Sequence, residues 1–153
     1  VIGVVVATIL TARIQPGYSL YWFRVTIETR DPHVFDQWVD EEAVAIDLAK
    51  SRVAQLHGKS NLVGDPLAQP DPEAVALIPE MRRAYRRDIR AYLMGQTPEK
   101  PVNRIYLQGP LVRNGNIAET TFTSDLPDRK PWRVRILKQD NGLWKVISLQ
   151  QDN

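Results

Sequence analysis

The spacing of apolar residues changes to a period of two near Pro98, and that change restricts the chain to folds that keep most of the helices and the sheet in separate blocks. Behind Pro98 apolar residues recur at every second position, the period of a strand with one buried face. Ala118, Thr120 and Phe122 fall on one face of a strand over Asn116–Ser124, and Ile117, Glu119 and Thr121 on the other. Trp132, Val134 and Ile136 alternate with Arg133, Arg135 and Leu137. Asn103–Gln108 and Leu143–Gln150 read as two further strands, with Trp144 and Val146 on one side of the last. Asn114-Gly115 and Asp140-Asn141-Gly142 supply the hairpin turns, because glycine reaches the positive φ that a tight reversal needs.

Ahead of Pro98 the pattern is mostly helical. Asp31-Pro32 caps a short helix carrying Val34, Phe35, Trp38 and Val39: the acid accepts from free backbone N–H groups, and proline fits the first helical position. A second helix runs from about Asp40, with Glu41 and Glu42 in its first turn, Ala45, Leu48, Ala49 and Leu56 on one face, and Gly58 as its stop. Residues 59–70 read as a loop. Asp71-Pro72-Glu73 opens the longest helix, about 71–94, which Gly95 ends; Pro79 either kinks it or moves its start towards Ile78. Before all of these, Tyr21, Phe23, Val25 and Ile27 alternate with Arg24, Thr26 and Glu28, so 21–28 is expected to be a half-buried strand. There is no regular strand–helix–strand alternation and no internal repeat. The fold class is α+β: a helical part over 31–94, then an antiparallel sheet over 102–150.

The first dozen residues, VIGVVVATILTA, carry no charge and lead through Arg13 to Tyr18, Tyr21, Trp22 and Phe23. A spanning helix needs about 20 apolar residues, so twelve do not suffice alone. The chain starts without methionine, and tyrosine and tryptophan concentrate at headgroup level. Residues 1–16 are therefore expected to be the end of a membrane anchor that contacts the bilayer through 1–12, with Arg13, Tyr18, Tyr21, Trp22 and Phe23 at the interface. A signal-peptide remnant and a buried β-strand are the alternatives, the latter because Val4, Val5, Val6, Thr8 and Ile9 are β-branched. Residues 17–153 then form one domain, of a size that buries about 70% of its unfolded surface.

Composition excludes several functions. With no cysteine there are neither disulfides nor thiolate metal sites, and two histidines, His33 and His57, cannot build a histidine-rich centre. Asp36, Asp40, Glu41 and Glu42 form a solvated acidic edge rather than a cation cage, so neither metal nor cofactor is expected. Residues 1–58 hold five basic against seven acidic side chains, and 59–153 fifteen against eleven. That imbalance is too mild for nucleic-acid binding. His57-Gly58-Lys59-Ser60 ends like a phosphate-binding loop, but Val53 stands where that motif requires glycine.

A helical half followed by a meander ending in NGLWKVISLQ (141–150) resembles the nuclear-transport-factor-2-like superfamily, in which a curved sheet wraps helices into a cone. An apolar segment directly before such a domain resembles bacterial membrane-anchored assembly subunits, among them the inner-membrane cone-domain subunit of type IV secretion systems. The resemblance implies a non-catalytic accessory subunit that docks on or stabilises a membrane protein complex, its folded domain on the periplasmic side, with the cytoplasmic side also open. It also implies a second use of the same fold, a cavity that binds a small ligand or performs catalysis with a carboxylate, and it leaves room for a homodimer.

Two groups of residues are candidates for these roles. Arg82, Arg83, Arg86, Arg87 and Arg90 span an arc of roughly 140° on one helix and, with Trp22, are the expected partner-binding set. Asp88 projects towards the apolar side of that helix, where a carboxylate needs a partner, such as Arg133 or Arg135. It is the single weak catalytic candidate, with Tyr85 and Tyr92 beside it.

Overall fold

The computed structural model describes residues 11–59, 64–97, 102–126 and 129–151. Most of the apolar run 1–12 lies outside the described residues. Residues 11–13 are helical, and four helices follow: α1 (Pro16–Thr29), α2 (Pro32–Trp38), α3 (Glu41–Leu56) and α4 (Pro72–Leu93). Five strands then form an open antiparallel sheet: β1 (Ile105–Leu107), β2 (Val112–Asn114), β3 (Ile117–Ser124), β4 (Trp132–Lys138) and β5 (Trp144–Gln151). The sheet runs β1-β3-β4-β5, with β2 also paired to β3. The class is α+β.

The expected strand over 21–28 is a helix. Pro16, Ser19, Leu20, Phe23 and Thr26 are its buried residues, spaced three and four apart as one helical face requires. Two of these are polar, which hides the 3.6-residue period and leaves the incidental alternation of Tyr21, Phe23, Val25 and Ile27 as the stronger pattern. Thr26 satisfies its buried hydroxyl by donating to the Phe23 carbonyl at 2.7 Å. Proline stands at the first helical position of α1, and Arg30 ends the helix in the left-handed region, φ 55°.

The other helix starts follow their capping acids. Asp31 accepts from the His33 and Val34 N–H groups, Asp40 from Ala43 and Asp71 from Ala74, each at 2.7–3.2 Å. α4 runs through Pro79 without ending. Gly115, φ 60°, makes the two-residue turn between β2 and β3, where Asn114 pairs with Ile117.

The main core lies between the helices and the sheet: Leu20 and Phe23 of α1, Phe35 of α2, Val44 of α3 and Leu93 of α4 meet Ala118, Phe122, Val134, Ile136, Trp144 and Val146. Ala49, Val53 and Ala74, with Leu77, Ile78 and Met81, form a smaller core where α3 and α4 pack together. β5 carries a bulge: Ile136 pairs with Val146 and Arg135 with Ser148, so Ile147 has no opposite number.

Candidate functional site

The residues just before α1 are held against the sheet. The indole N–H of Trp144, itself fully buried, donates to the Ile14 carbonyl at 2.8 Å, which ties the residues before α1 to the start of β5. From there α1 divides the aromatic residues expected at a membrane interface. Tyr21 is 51% exposed and Trp22 half-buried, and they meet edge to face with centroids 5.5 Å apart. Tyr18 packs in the same way on Trp22 and on Trp38 of α2, at 6.2 and 5.7 Å. Arg13 is exposed, and the Arg24 guanidinium sits 5.3 Å from the centre of the Tyr21 ring. Phe23 departs from the expectation. It is 1% exposed and packs on Phe35 and Phe122, because residues two apart share a face on a strand but lie on opposite sides of a helix, which separates it from Tyr21.

The arginine arc of α4 is divided as well. Arg82 pairs with Glu42, and Arg86 with Glu41 at 2.7 Å, so two of the five clasp α4 to the acidic first turn of α3. The Glu41 hydrogen bond raises the Arg86 pKa. Arg83, Arg87 and Arg90 face solvent. Glu41 and Glu42 are thereby explained as ion-pair partners, Asp40 as a helix cap, and His57 by its 2.9 Å contact with Glu73 at the surface. His33 and Asp36 are exposed.

A cavity of about 340 Å³ opens between α1, α2, α4 and the sheet. Its walls include Phe23, Phe35, Ile89, Tyr92, Phe122 and Leu149, with Trp132 and Asp88 also lining it. Asp88 does not occupy the position expected of a cavity base. Its side chain is 66% exposed and accepts from Arg87 Nε at 2.8 Å, a neighbour rather than a strand arginine. Arg133 and Arg135 pair with Glu119 instead. The apolar stripe of α4 leaves Asp88 on its flank, where its short side chain turns to water instead of being buried as a general base. Tyr92 lines the cavity and its hydroxyl accepts from the Val102 N–H at 3.1 Å. Tyr85 lies outside that lining; it packs against the main core, and burial, followed by the nearby Asp36 and Glu41 carboxylates, pushes its phenol well above the usual tyrosine range.

Sequence reasoning missed one buried polar cluster. Asp47 of α3, 2% exposed, accepts from Ser148 Oγ at 2.7 Å and from Gln150 Nε2 at 2.8 Å, and Gln150 Nε2 also donates to Ser51 Oγ. The available signal was an acid beside Leu48 and Ala49 on the apolar face of α3. Its partners lie on β5, over a hundred residues away.

Among the described residues no helix is long and apolar enough to cross a membrane, and no group of three histidines or acids converges as a metal site. Comparison with known proteins gives no significant match to any protein-family model, curated protein or solved structure.

Proposed function

We propose that this chain is a non-catalytic accessory subunit, tethered to a membrane through its apolar N-terminal run, that docks on a larger membrane protein complex and stabilises it. The domain belongs on the periplasmic side, with helices packed against a curved sheet in the manner of the cone-shaped superfamily. The surface aromatic patch of α1 carries this reading. Tyr21, Trp22 and Tyr18 stand on the helix that directly follows the apolar run, and Tyr21 remains half in solvent although a large core lies beneath the same helix. Aromatic side chains of this kind serve equally at headgroup level and as anchors of protein interfaces. Exposed Arg83 and Arg90 add a cationic face for an acidic partner surface.

The test is co-purification of the full-length protein from detergent-solubilised membranes. The native protein is expected with defined partner subunits, and the double substitution Tyr21→Ala, Trp22→Ala is expected to lose them while keeping its far-ultraviolet circular dichroism. Recovery of the native protein alone in the soluble fraction overturns the proposal.

A further inference from the structure

We infer that the end of the sheet carrying the β2–β3 and β4–β5 turns is a docking surface for the anionic headgroups of a phospholipid bilayer. The inference deepens the docking role proposed above and rests on its membrane tether. Three observations carry it.

The first is position. Two contacts hold Ile14 to the β4–β5 turn. Its carbonyl accepts from the Trp144 indole at 2.8 Å, and its side chain lies against Gly142, where an added Cβ would meet Ile14 Cγ2 at 3.5 Å. The apolar run ends at Ala12, two residues before Ile14. Two residues of fully extended chain span at most about 7 Å. A run that enters a bilayer therefore keeps this turn within one Debye length of its own end, about 8 Å at physiological salt.

The second is the charge that converges there. Lys138 is the cross-strand partner of Trp144, Lys145 is its neighbour in sequence, and the Arg113 guanidinium sits 5.2 Å from its ring centre. Arg13 directly precedes the residue whose carbonyl Trp144 holds. Residues 11–15, 112–117 and 138–145 together contain these four basic side chains and one acid, Asp140.

The third is that the fold does not use these charges internally. Arg82, Arg86, Arg133 and Arg135 each hold a carboxylate. None of the four basic residues at the turn end does so among the described residues. Arg113 Nε donates instead to the Gly115 carbonyl at 3.1 Å. Arg13 and Arg113 are exposed, and Lys138 and Lys145 are half-buried, as long stems that keep their charged heads in water. A bilayer surface presents many phosphates with no fixed spacing, so it can meet cations carried by three separate parts of the chain. An acidic protein surface offers the same charge, but the short reach from Ala12 to Ile14 places headgroups, not a protein, against this end.

The experiment reconstitutes the full-length protein into vesicles of phosphatidylcholine, alone or mixed with phosphatidylglycerol. The chain has no cysteine, so a fluorophore on Asn116→Cys, an exposed position in the β2–β3 turn, reports contact with nitroxide-headgroup lipid. A label on the exposed Lys130→Cys, beside the far end of β5, is the control. Quenching at Asn116→Cys is expected in phosphatidylglycerol vesicles and weak in phosphatidylcholine, while the control stays bright in both. At about fivefold per basic residue, the triple substitution Arg113→Gln, Lys138→Gln, Lys145→Gln should lower the docked-to-undocked ratio roughly 100-fold. Thermal unfolding establishes that the triple variant folds; should loss of Arg113 unsettle Trp144, the Lys138→Gln, Lys145→Gln pair replaces it under the same criterion. Equal quenching in the two lipids, or quenching that a folded variant leaves unchanged, overturns the inference and leaves the tether standing. Protein that floats with neither kind of vesicle overturns the tether, and this inference with it.

Discussion

The two ends of the β4–β5 hairpin are built from the same two strands and could hardly be more different in packing. At the turn end, Ile136, Trp144 and Val146 are at most 1% exposed, Trp144 holds the Ile14 carbonyl, and the Arg113 guanidinium covers its ring at 5.2 Å. At the far end Trp132 pairs with Gln151 and Val134 with Leu149, and these four residues border the cavity. Between the ends lies the bulge. Trp144 and Val146 belong to the core, but beyond the extra residue Ile147 the parity reverses: Leu149 and Gln151 line the cavity, while Ser148 and Gln150 reach Asp47. One inserted residue thus turns a closed core into an open pocket on one side and a buried polar cluster on the other.

Replacing the tryptophan at each end tests that contrast most strongly. Trp144→Ala removes a fully enclosed ring and leaves the Ile14 carbonyl without its donor, and it is expected to cost about 3–5 kcal/mol. Trp132→Ala deletes a ring that already borders solvent and a cavity, and should cost no more than about 1–2 kcal/mol. Urea unfolding at constant m-value measures both. Equal losses would mean that the far end is packed as tightly as the turn end.

Breaking the polar cluster beyond the bulge is expected to cost less than replacing the turn-end tryptophan. Asp47→Ala strands the Ser148 hydroxyl and one Gln150 N–H in a buried setting, for an expected loss of about 1–3 kcal/mol. Adding Ser148→Ala should restore part of that loss, since deleting both partners leaves fewer unpaired groups. A double-mutant cycle with no coupling between the two positions would place the energy elsewhere.

Much of this architecture was legible from short-range chemistry. The capping acids Asp31 and Asp71, the Asn114-Gly115 turn and the shared face of Ala118, Thr120 and Phe122 all act within a few residues, and each is realised. What escaped depends on distant parts of the chain. The buried stripe of α1 contains Ser19 and Thr26, which a tertiary environment accepts and a hydropathy pattern does not. Asp47 is held by donors on the last strand. Alternation along β4 places Arg135 outside, yet it is 5% exposed and held by Glu119. The cavity is the volume left between four elements, and no residue announces it. Asp88 was misplaced for a related reason: a helical wheel gives a direction, but its partner Arg87 is decided by the side chain's length.

The smallest expected effect concerns Tyr85, on the closed side of α4, and it is absent at neutral pH. Burial and the carboxylates of Asp36 and Glu41 keep its phenol protonated in the folded chain to higher pH than in the unfolded one. A tyrosine in the unfolded chain ionises near pH ~10. Above that pH the unfolded state therefore binds fewer protons than the folded state, and stability falls as pH rises. Below it, both states hold the proton and the residue contributes no slope. Tyr85→Phe removes the group, so the native protein should lose stability relative to this variant only above about pH 10. Subtracting the two unfolding curves cancels the other tyrosines and the lysines, which titrate in both proteins. A parallel pair of curves through that range would show that Tyr85 reaches solvent, and that α4 is no more closed against α2 and α3 than it is above the cavity.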